Sequence, residues 1–271
     1  YRVRLLRWPF LTNGASLLAE IPGVFPALVG TVWLVIGAVL FAVPTGVGAA
    51  VFLSEFAEQG RFTGVVEVAT NGLWSTPSIV FGLFGAAFLI PRFGNQKSLI
   101  AGMLTLGFML LPLVLITSRE AILAVPDEYR DASAALGVSK WETIRSVVLP
   151  AAIPGITTGV ILGVGRIAGE TAPILLTTGG GVLPGRSAAP NVLGGFQLSA
   201  SPPFVTNPAL LEATSALPYQ LYALITAGLS GNIEDPQQFA WGLALTLLLV
   251  VLLFYAGGIA TRYYFRRKLH Q

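Results

Sequence analysis

Three long stretches without a charged residue constrain this chain more than any other feature of its sequence. Residues 27–53, 98–118 and 236–261 contain no Asp, Glu, Lys or Arg. Each stretch is long enough for a helix that crosses the hydrocarbon core of a bilayer, which takes about 20 residues. Of all residues, 54% are hydrophobic and 11% are charged, whereas a soluble domain carries about 25% charged residues. The chain is therefore predicted to be an integral membrane protein.

Two further apolar stretches contain polar or charged residues. Residues 68–90 have a polar first half, and residues 153–178 include Arg166 and Glu170. Unsatisfied polar groups are costly against lipid, so the polar half of the first stretch is expected to face protein. Together with the three uncharged stretches, these predict five membrane spans and one membrane domain over residues 28–262.

The composition excludes several classes of function. Lys and Arg number 16 and Asp and Glu number 13, so the net charge of +3 is too small to indicate nucleic acid as a partner. The absence of Cys excludes disulfides, iron–sulfur clusters and thiolate zinc sites. The single histidine, His270, cannot form a histidine cluster. No metal site and no catalytic residue are predicted.

The distribution of basic residues predicts the orientation of the chain. The side that holds residues 54–64, 119–150 and the C-terminal tail 263–271 is the richer in Lys and Arg, which favours the cytoplasm. The loop 179–236 and residues 1–27 are then extracytoplasmic. An odd number of spans leaves Tyr1 outside, so we expect a further transmembrane helix to be missing ahead of it.

One charged segment, EYRDASAALGVSKWETIRSVVLPAAIPG at 128–155, lies between two apolar spans. It predicts two short helices joined by a tight turn. Pro126 suits the first turn of a helix, and Gly137 suits the left-handed position after its last turn. Ser139, followed three residues later by Glu142, forms a capping box that begins the second helix.

Three interpretations of this segment remain open on the residues alone: a loop that docks on a partner, a helix that rests on the membrane surface, and a helix-turn-helix that reads DNA. A basic face would favour DNA, but Lys140 and Arg145 are opposed by Glu142.

The spacing from Asp131 to Pro150 resembles the EAA loop of ABC importer permeases, whose form is EAA-x3-G-x9-I-x-LP. Here Asp131, Ser133 and Val147 replace the family residues Glu, Ala and Ile, while the glycine, leucine and proline keep their places. The resemblance implies that residues 126–150 couple the chain to a cytoplasmic ATPase. The residues implied in this coupling are Glu128, Asp131, Ala132, Ser133, Leu136, Gly137, Trp141, Leu149 and Pro150.

Arg166 and Glu170 form the second candidate site. Their spacing of four predicts one helix face, on which the two side chains can pair. An ionisable residue at membrane depth is costly and therefore a functional candidate, although a structural ion pair that joins helices is the alternative. A guanidinium suits an oxyanion because its planar fork gives two parallel hydrogen bonds.

Three motifs resemble the A-type permease of phosphate ABC importers: RxxGETAP at 166–173, NGLWSTPSIVFGLFG at 71–85 and SALPYQLY at 215–222. The resemblance implies an all-α, polytopic membrane protein with the type I ABC importer (MetI-like) permease fold, five transmembrane helices present and a first helix missing. It also implies a phosphate pathway through Arg166, Glu170 and Thr171. From the polar residues of 68–90, which also include Asn71, Ser75 and Thr76, we add Ser78 to that pathway.

The resemblance further implies the partners and the location. They are a second permease, a cytoplasmic ATPase dimer and an extracytoplasmic phosphate-binding protein, in a multi-pass complex of the inner or plasma membrane. The chain itself is no enzyme and binds no cofactor, since the P-loop-like spacing at 180–187 has Arg186 where Lys belongs. ATP and Mg²⁺ then act on the ATPase. Sulfate or molybdate remain alternative substrates, and a membrane-anchored helix-turn-helix regulator is the alternative from another class.

Overall fold

The structure is a computed structural model that describes residues 11, 23–58, 60–179, 190–198, 205–226 and 236–269. The first helices are α1 (Phe25–Val51), α2 (Arg61–Ser75), α3 (Ser78–Phe84), α4 (Ile90–Arg92), α5 (Leu99–Leu123) and α6 (Asp127–Ala135). They are followed by α7 (Lys140–Thr143), α8 (Leu149–Ala168), α9 (Ala172–Thr177), α10 (Pro208–Leu211), α11 (Leu217–Thr226) and α12 (Pro236–Leu269). Three π-helical turns also occur, at Phe52–Phe56, Gly85–Leu89 and Ile144–Val148.

The described residues are helical apart from one small ladder and the connecting loops. Strands β1 (Gln197–Leu198) and β2 (Val205–Thr206) pair antiparallel, with Gln197 opposite Thr206. Both strands lie in the predicted loop 179–236, which also holds α10 and α11. The P-loop-like residues 180–187 and most of the N-terminal segment 1–27 lie outside the described residues.

Four helical stretches of the described chain are long and apolar enough to cross a membrane: Phe25–Phe56, Leu99–Leu123, Lys140–Ala168 and Gln237–Tyr264. The count becomes five if the bent pair Arg61–Ser75 and Ser78–Arg92 forms one span. The first, third and fifth predicted spans match helices of the structure. The last two of these run further than predicted, since α5 includes Arg119 and Glu120 and α12 continues into the basic tail.

The second predicted span, 68–90, is not one continuous helix but corresponds to the bent pair α2 and α3, with a break between them. Proline disfavours the helical conformation of the residue before it, and Thr76 accordingly has an extended backbone with ψ of 132°. The hydroxyl groups of Ser75 and Thr76 both donate to the Gly72 carbonyl, so the end of α2 is capped from within.

The fourth predicted span, 153–178, is also wrong in its bounds. Helix α7 continues through the π-helical turn Ile144–Val148 into α8 without a break, so the membrane-length helix begins at Lys140 and ends at Ala168. The second helix of the charged segment is therefore not short. Pro150 lies inside this continuous helix, directly after the π-helical turn, and such turns are a known irregularity within α-helices.

The chain divides into two compact units, the first formed by Tyr1–Ala38, Pro77–Leu106 and Ile167–Val251. Within this unit the two N–H groups at the start of α5 find backbone partners. Ser98 donates to the Thr177 carbonyl at 3.0 Å, and Leu99 donates to the Glu212 carbonyl at 2.9 Å. These bonds satisfy donors that a helix start otherwise leaves unpaired.

The second unit comprises Val39–Thr76, Gly107–Arg166 and Leu252–Gln271. Its apolar core joins the ends of α1 and α5 to the charged segment and α8. The buried members are Ala50, Val51, Ile122, Val125, Ile144, Val148, Ala152 and Ile156.

A glycine stripe on α8 allows close packing within the second unit. Gly155, Gly159 and Gly163 recur every fourth residue and share one helix face. A Cβ added to these glycines would crowd Ala121, Thr117 and Leu110 of α5, respectively. Small residues that let two backbones approach are typical of helix pairs in membranes.

Candidate functional site

The coupling segment, residues 126–150, is built on caps that the sequence predicts. Gly137 has a φ of +75°, and the N–H of Val138 donates to the Ser133 carbonyl at 3.2 Å, as expected after a helix C-terminus. The hydroxyl of Ser139 accepts from the N–H of Glu142 at 3.3 Å, which confirms the Ser139 half of the predicted capping box. The carboxylate of Glu142 accepts a hydrogen bond of 2.6 Å from the hydroxyl of Ser146.

The side chains implied in coupling fall into two groups in the structure. One group is exposed, and Leu136 is the most open large apolar residue among them, at 84% exposure, with Trp141 at 56%. Glu128, Asp131, Ala132 and Gly137 are also exposed. The other group packs inward: Ser133 is buried, and Leu149 packs against the apolar core of the second unit. Pro150 is half-buried.

Exposed apolar residues such as Leu136 and Trp141 are typical of a docking surface rather than of a core. A DNA reader fits this arrangement poorly, because the would-be recognition helix is the first turn of the membrane-length helix that ends at Ala168.

Arg166 lies in the last turn of α8, and its guanidinium meets an aromatic ring. The Cζ atom of Arg166 is 4.5 Å from the centroid of the Trp74 ring, which belongs to the last turn of α2. Both residues belong to the second unit. A cation over the face of a tryptophan is attracted by the negative potential of that face. The ring therefore stabilises the guanidinium in this position.

The other residues predicted for the pathway belong to the first unit. Helix α8 ends at Ala168, so Glu170 lies beyond its last turn instead of continuing the helix face of Arg166. Thr171 precedes α9, and its carbonyl accepts from the N–H of Leu175 at 2.9 Å. Ser78 is the first residue of α3 and is half-buried.

Asn71 lines a cavity of about 220 Å³ inside the second unit. An ion pair between Arg119 and Glu67, with Nη1 and Oε1 2.6 Å apart, lies at this cavity. The pair joins α2 to the last turns of α5 and helps to explain why α5 extends beyond the predicted span.

Sequence reasoning missed the roles of Trp74 and Glu55. Trp74 is part of the NGLWSTP motif, but nothing in the motif predicts that its ring meets Arg166, 92 positions further along the chain. Glu55 lies in the segment 54–64, to which the sequence gives no role beyond orientation, and its carboxylate accepts a hydrogen bond from Arg130 at 2.8 Å. A carboxylate directly after a long apolar stretch is the only local signal in the sequence for the contact between Glu55 and Arg130.

Comparison with known proteins shows which family this chain is similar to. The family model described as "Binding-protein-dependent transport system inner membrane component" matches residues 42–268. The probable ABC transporter permease protein YqgI of Bacillus subtilis is 37% identical over 177 residues, which is 65% of this chain and 60% of that protein. The phosphate transport system permease protein PstA 1 of Mycobacterium tuberculosis is 43% identical over 157 residues, or 58% of this chain and 51% of that protein.

The similarity extends further along PstA of Mycobacterium leprae, which is 36% identical over 247 residues, covering 91% of this chain and 72% of that protein. The chain spans about half to three fifths of the length of YqgI and of PstA 1.

Solved structures of ABC importers share the fold. A chain of the inward-facing MetNI methionine ABC transporter matches with a TM-score of 0.61 and 19% identity, covering 90% of this chain and 94% of that one. A chain of a bacterial ABC transporter for alginate import matches with a TM-score of 0.57 and 15% identity, covering 87% of this chain and 78% of that one. The predicted all-α, MetI-like fold class is thereby confirmed.

Proposed function

This chain belongs to the family of binding-protein-dependent transport system inner membrane components, and we propose that it is a transmembrane permease subunit of an ATP-driven importer of inorganic phosphate. The observation that carries the proposal is the identity of 32–43% to several proteins named as PstA phosphate permeases. The chemistry of Arg166 agrees with it.

Arg166 binds the phosphate during passage. A charged residue at membrane depth is costly and is retained where it meets a substrate or a partner charge. The guanidinium offers parallel donors to two oxygens of a phosphate. Its contact with the Trp74 ring is a cation–π contact, which places the cation over the face of the ring. The RxxGETAP motif further assigns Glu170 and Thr171 to phosphate passage, and the polar residue Ser78 is assigned with them.

The chain supplies no chemistry of its own and depends on partners. A second permease completes the path, an extracytoplasmic binding protein delivers phosphate, and a cytoplasmic ATPase dimer with ATP and Mg²⁺ supplies the energy. The coupling segment inserts into a groove of the ATPase with its exposed residues, among them Leu136 and Trp141. The coupling segment and the C-terminus face the cytoplasm.

The proposal is tested by uptake of radiolabelled phosphate into proteoliposomes that contain the complete complex. We expect ATP-dependent uptake of phosphate, and we expect that a large excess of sulfate or molybdate does not inhibit it. Inhibition by sulfate or molybdate, with transport of that ion, would instead assign the chain to another oxyanion. Absence of any ATP-dependent oxyanion uptake would refute the proposal.

Replacement of Arg166 tests its role in the same assay. Arg166→Gln is expected to abolish phosphate uptake, because the neutral amide cannot offer the charged fork, while the variant still assembles with the second permease and the ATPase. Arg92→Gln is the matched control, since Arg92 is an exposed arginine outside the pathway and is expected to transport normally. Normal uptake by Arg166→Gln would remove this residue from the pathway.

A further inference from the structure

Arg130 has a guanidinium in which all five N–H donors have an acceptor. Its Nε and Nη2 atoms donate to Oε1 of Glu55 at 3.3 Å and 2.8 Å. Nη1 donates to the Val125 carbonyl at 2.7 Å and to Oδ1 of Asp127 at 3.1 Å, and Nη2 also donates to the Ile122 carbonyl at 3.1 Å. An arginine has five such donors in a fixed plane, so these bonds fix the group in one orientation.

These bonds join three separate helices. Arg130 itself lies in α6, Glu55 lies in the π-helical turn that ends α1, and the Ile122 carbonyl belongs to the last turn of α5. Glu55 and Arg130 are 75 positions apart in the sequence. The contact is therefore long-range and does not stabilise a single helix.

The pair between Arg130 and Glu55 is largely withdrawn from water. The Glu55 side chain is 8% exposed and that of Arg130 is 22% exposed. Ile122 and Val125, whose carbonyls receive Arg130, also belong to the apolar core of the second unit. A buried carboxylate that loses its partner is left with an uncompensated charge, unlike a carboxylate of a surface pair.

A second cation of the coupling segment binds the same turn of α1. The Nζ atom of Lys140, the first residue of α7, donates to the backbone carbonyl of Glu55. The same atom lies 5.1 Å from the centroid of the Phe56 ring. Both helices of the coupling segment, α6 and α7, thus hold the turn Phe52–Phe56.

The covalent structure shows why such a link matters. Helix α7 continues into α8, so a displacement of α7 reaches α8 through the backbone. No chain connection joins the coupling segment to α1, and α6 follows α5 through residues 124–126, where Pro126 has a non-helical ψ of 142°. Side-chain contacts must carry a displacement to α1.

We propose that Arg130 and Glu55 are positioning residues for energy coupling, and that their pair is a rigid link which, alongside the contacts of Lys140 and the apolar core, turns movement of the coupling segment into movement of α1. This inference rests on the proposed function, since it assumes that an ATPase moves the coupling segment. Arg130 is not a docking residue in this view. It makes α1 follow a movement that α8 receives through its own backbone.

The first test measures the number of phosphate ions transported per ATP hydrolysed by the complete complex in proteoliposomes. Arg130→Met and Glu55→Leu are each expected to lower this ratio at least about fivefold, a change typical of a lost coupling interaction. The double variant is expected to resemble the single variants, because residues that act as one unit are not additive. Arg130→Lys, which keeps the charge but loses the fork, is expected to fall between the wild type and Arg130→Met.

Controls separate coupling from assembly. Arg61→Met replaces an exposed arginine at the start of α2 and is expected to keep the wild-type ratio. Copurification of the ATPase is expected to be unchanged in every variant. A wild-type ratio in Arg130→Met, or a lower ratio that merely follows loss of the ATPase, would overturn the inference.

The second test follows α1 and α6 directly. The chain has no Cys, so spin labels can be attached to Leu40→Cys on α1 and Ala135→Cys on α6, both exposed. The distance between the labels is expected to stay the same in the nucleotide-free and the nucleotide-trapped complex, and to change between these states only when Arg130→Met is added. If the distance between the labels changes as much with Arg130 in place as it does in Arg130→Met, the pair is not a rigid link. Failure of the wild-type complex to transport phosphate would instead refute the proposed function.

Discussion

Trp74 is the residue whose replacement most directly tests how Arg166 is held. Trp74→Ala removes the ring 4.5 Å from the Arg166 guanidinium, and we expect phosphate uptake at low phosphate concentration to fall about 2- to 30-fold, the range of a cation–π contact. Trp74→Phe keeps a ring face and is expected to retain more uptake than Trp74→Ala. The measurement is the concentration dependence of uptake in proteoliposomes.

Leu73→Ala provides the matched control, because Leu73 is the exposed neighbour of Trp74 in the same turn of α2. Its uptake is expected to equal that of the wild type. Equal uptake by Trp74→Ala would show that Arg166 does not depend on the ring.

At the scale of single residues, the sequence predicts contacts that are local and misses those that are distant. The cap at Ser139 and the left-handed glycine at Gly137 follow from residues within a few positions of each other. The ring of Trp74 on Arg166 and the binding of Glu55 by Arg130 depend on how separate helices pack. No local pattern encodes such packing, so a single sequence cannot predict these contacts.

The turn between α6 and α7 is the element that sets the geometry of the coupling segment. Gly137 has a φ of +75°, and a Cβ at this position would meet open space, so only backbone strain opposes a side chain. A left-handed conformation costs an L-residue about 1–2 kcal/mol, and Asn adopts it more readily than most residues. We therefore expect Gly137→Val to lower the number of phosphate ions transported per ATP hydrolysed, while Gly137→Asn stays close to the wild type.

Gly137→Val and Gly137→Asn introduce side chains that need similar space. They differ in how readily they adopt the left-handed backbone conformation. Substrate delivery by the binding protein is expected to be unaffected in both. If Gly137→Val and Gly137→Asn couple equally well, the left-handed turn does not determine the position of the segment.

At the scale of elements, prolines mark where the sequence-based bounds fail. Pro77 ends a span that hydropathy alone predicts as continuous, whereas Pro44, Pro112 and Pro154 lie inside helices α1, α5 and α8. Neighbouring helices can satisfy the backbone groups that a proline frees within a membrane. The effect of each proline depends on its packing, which hydropathy does not contain.

At the scale of the whole molecule, composition and hydropathy are sufficient to predict a helical membrane protein, since the uncharged stretches correspond to α1, α5 and α12. The MetI-like fold follows from the resemblance of the motifs and not from hydropathy. The boundaries between the two compact units fall inside these same long helices, after Ala38, Leu106 and Val251. A division that falls inside continuous apolar helices leaves no linker and no change of composition, so the sequence gives no signal for it.

The orientation of the chain is the last prediction and belongs to the whole molecule. The excess of basic residues predicts that the coupling segment lies in the cytoplasm and the α4–α5 loop outside. Because the chain lacks Cys, single substitutions give an unambiguous readout: Gln96→Cys and Ala135→Cys are both at exposed positions. A membrane-impermeant maleimide added to intact cells, with the outer barrier opened where one exists, is expected to label Gln96→Cys at once. Ala135→Cys is expected to react only after the membrane is permeabilised, and the reverse pattern would place the docking surface on the side without ATP.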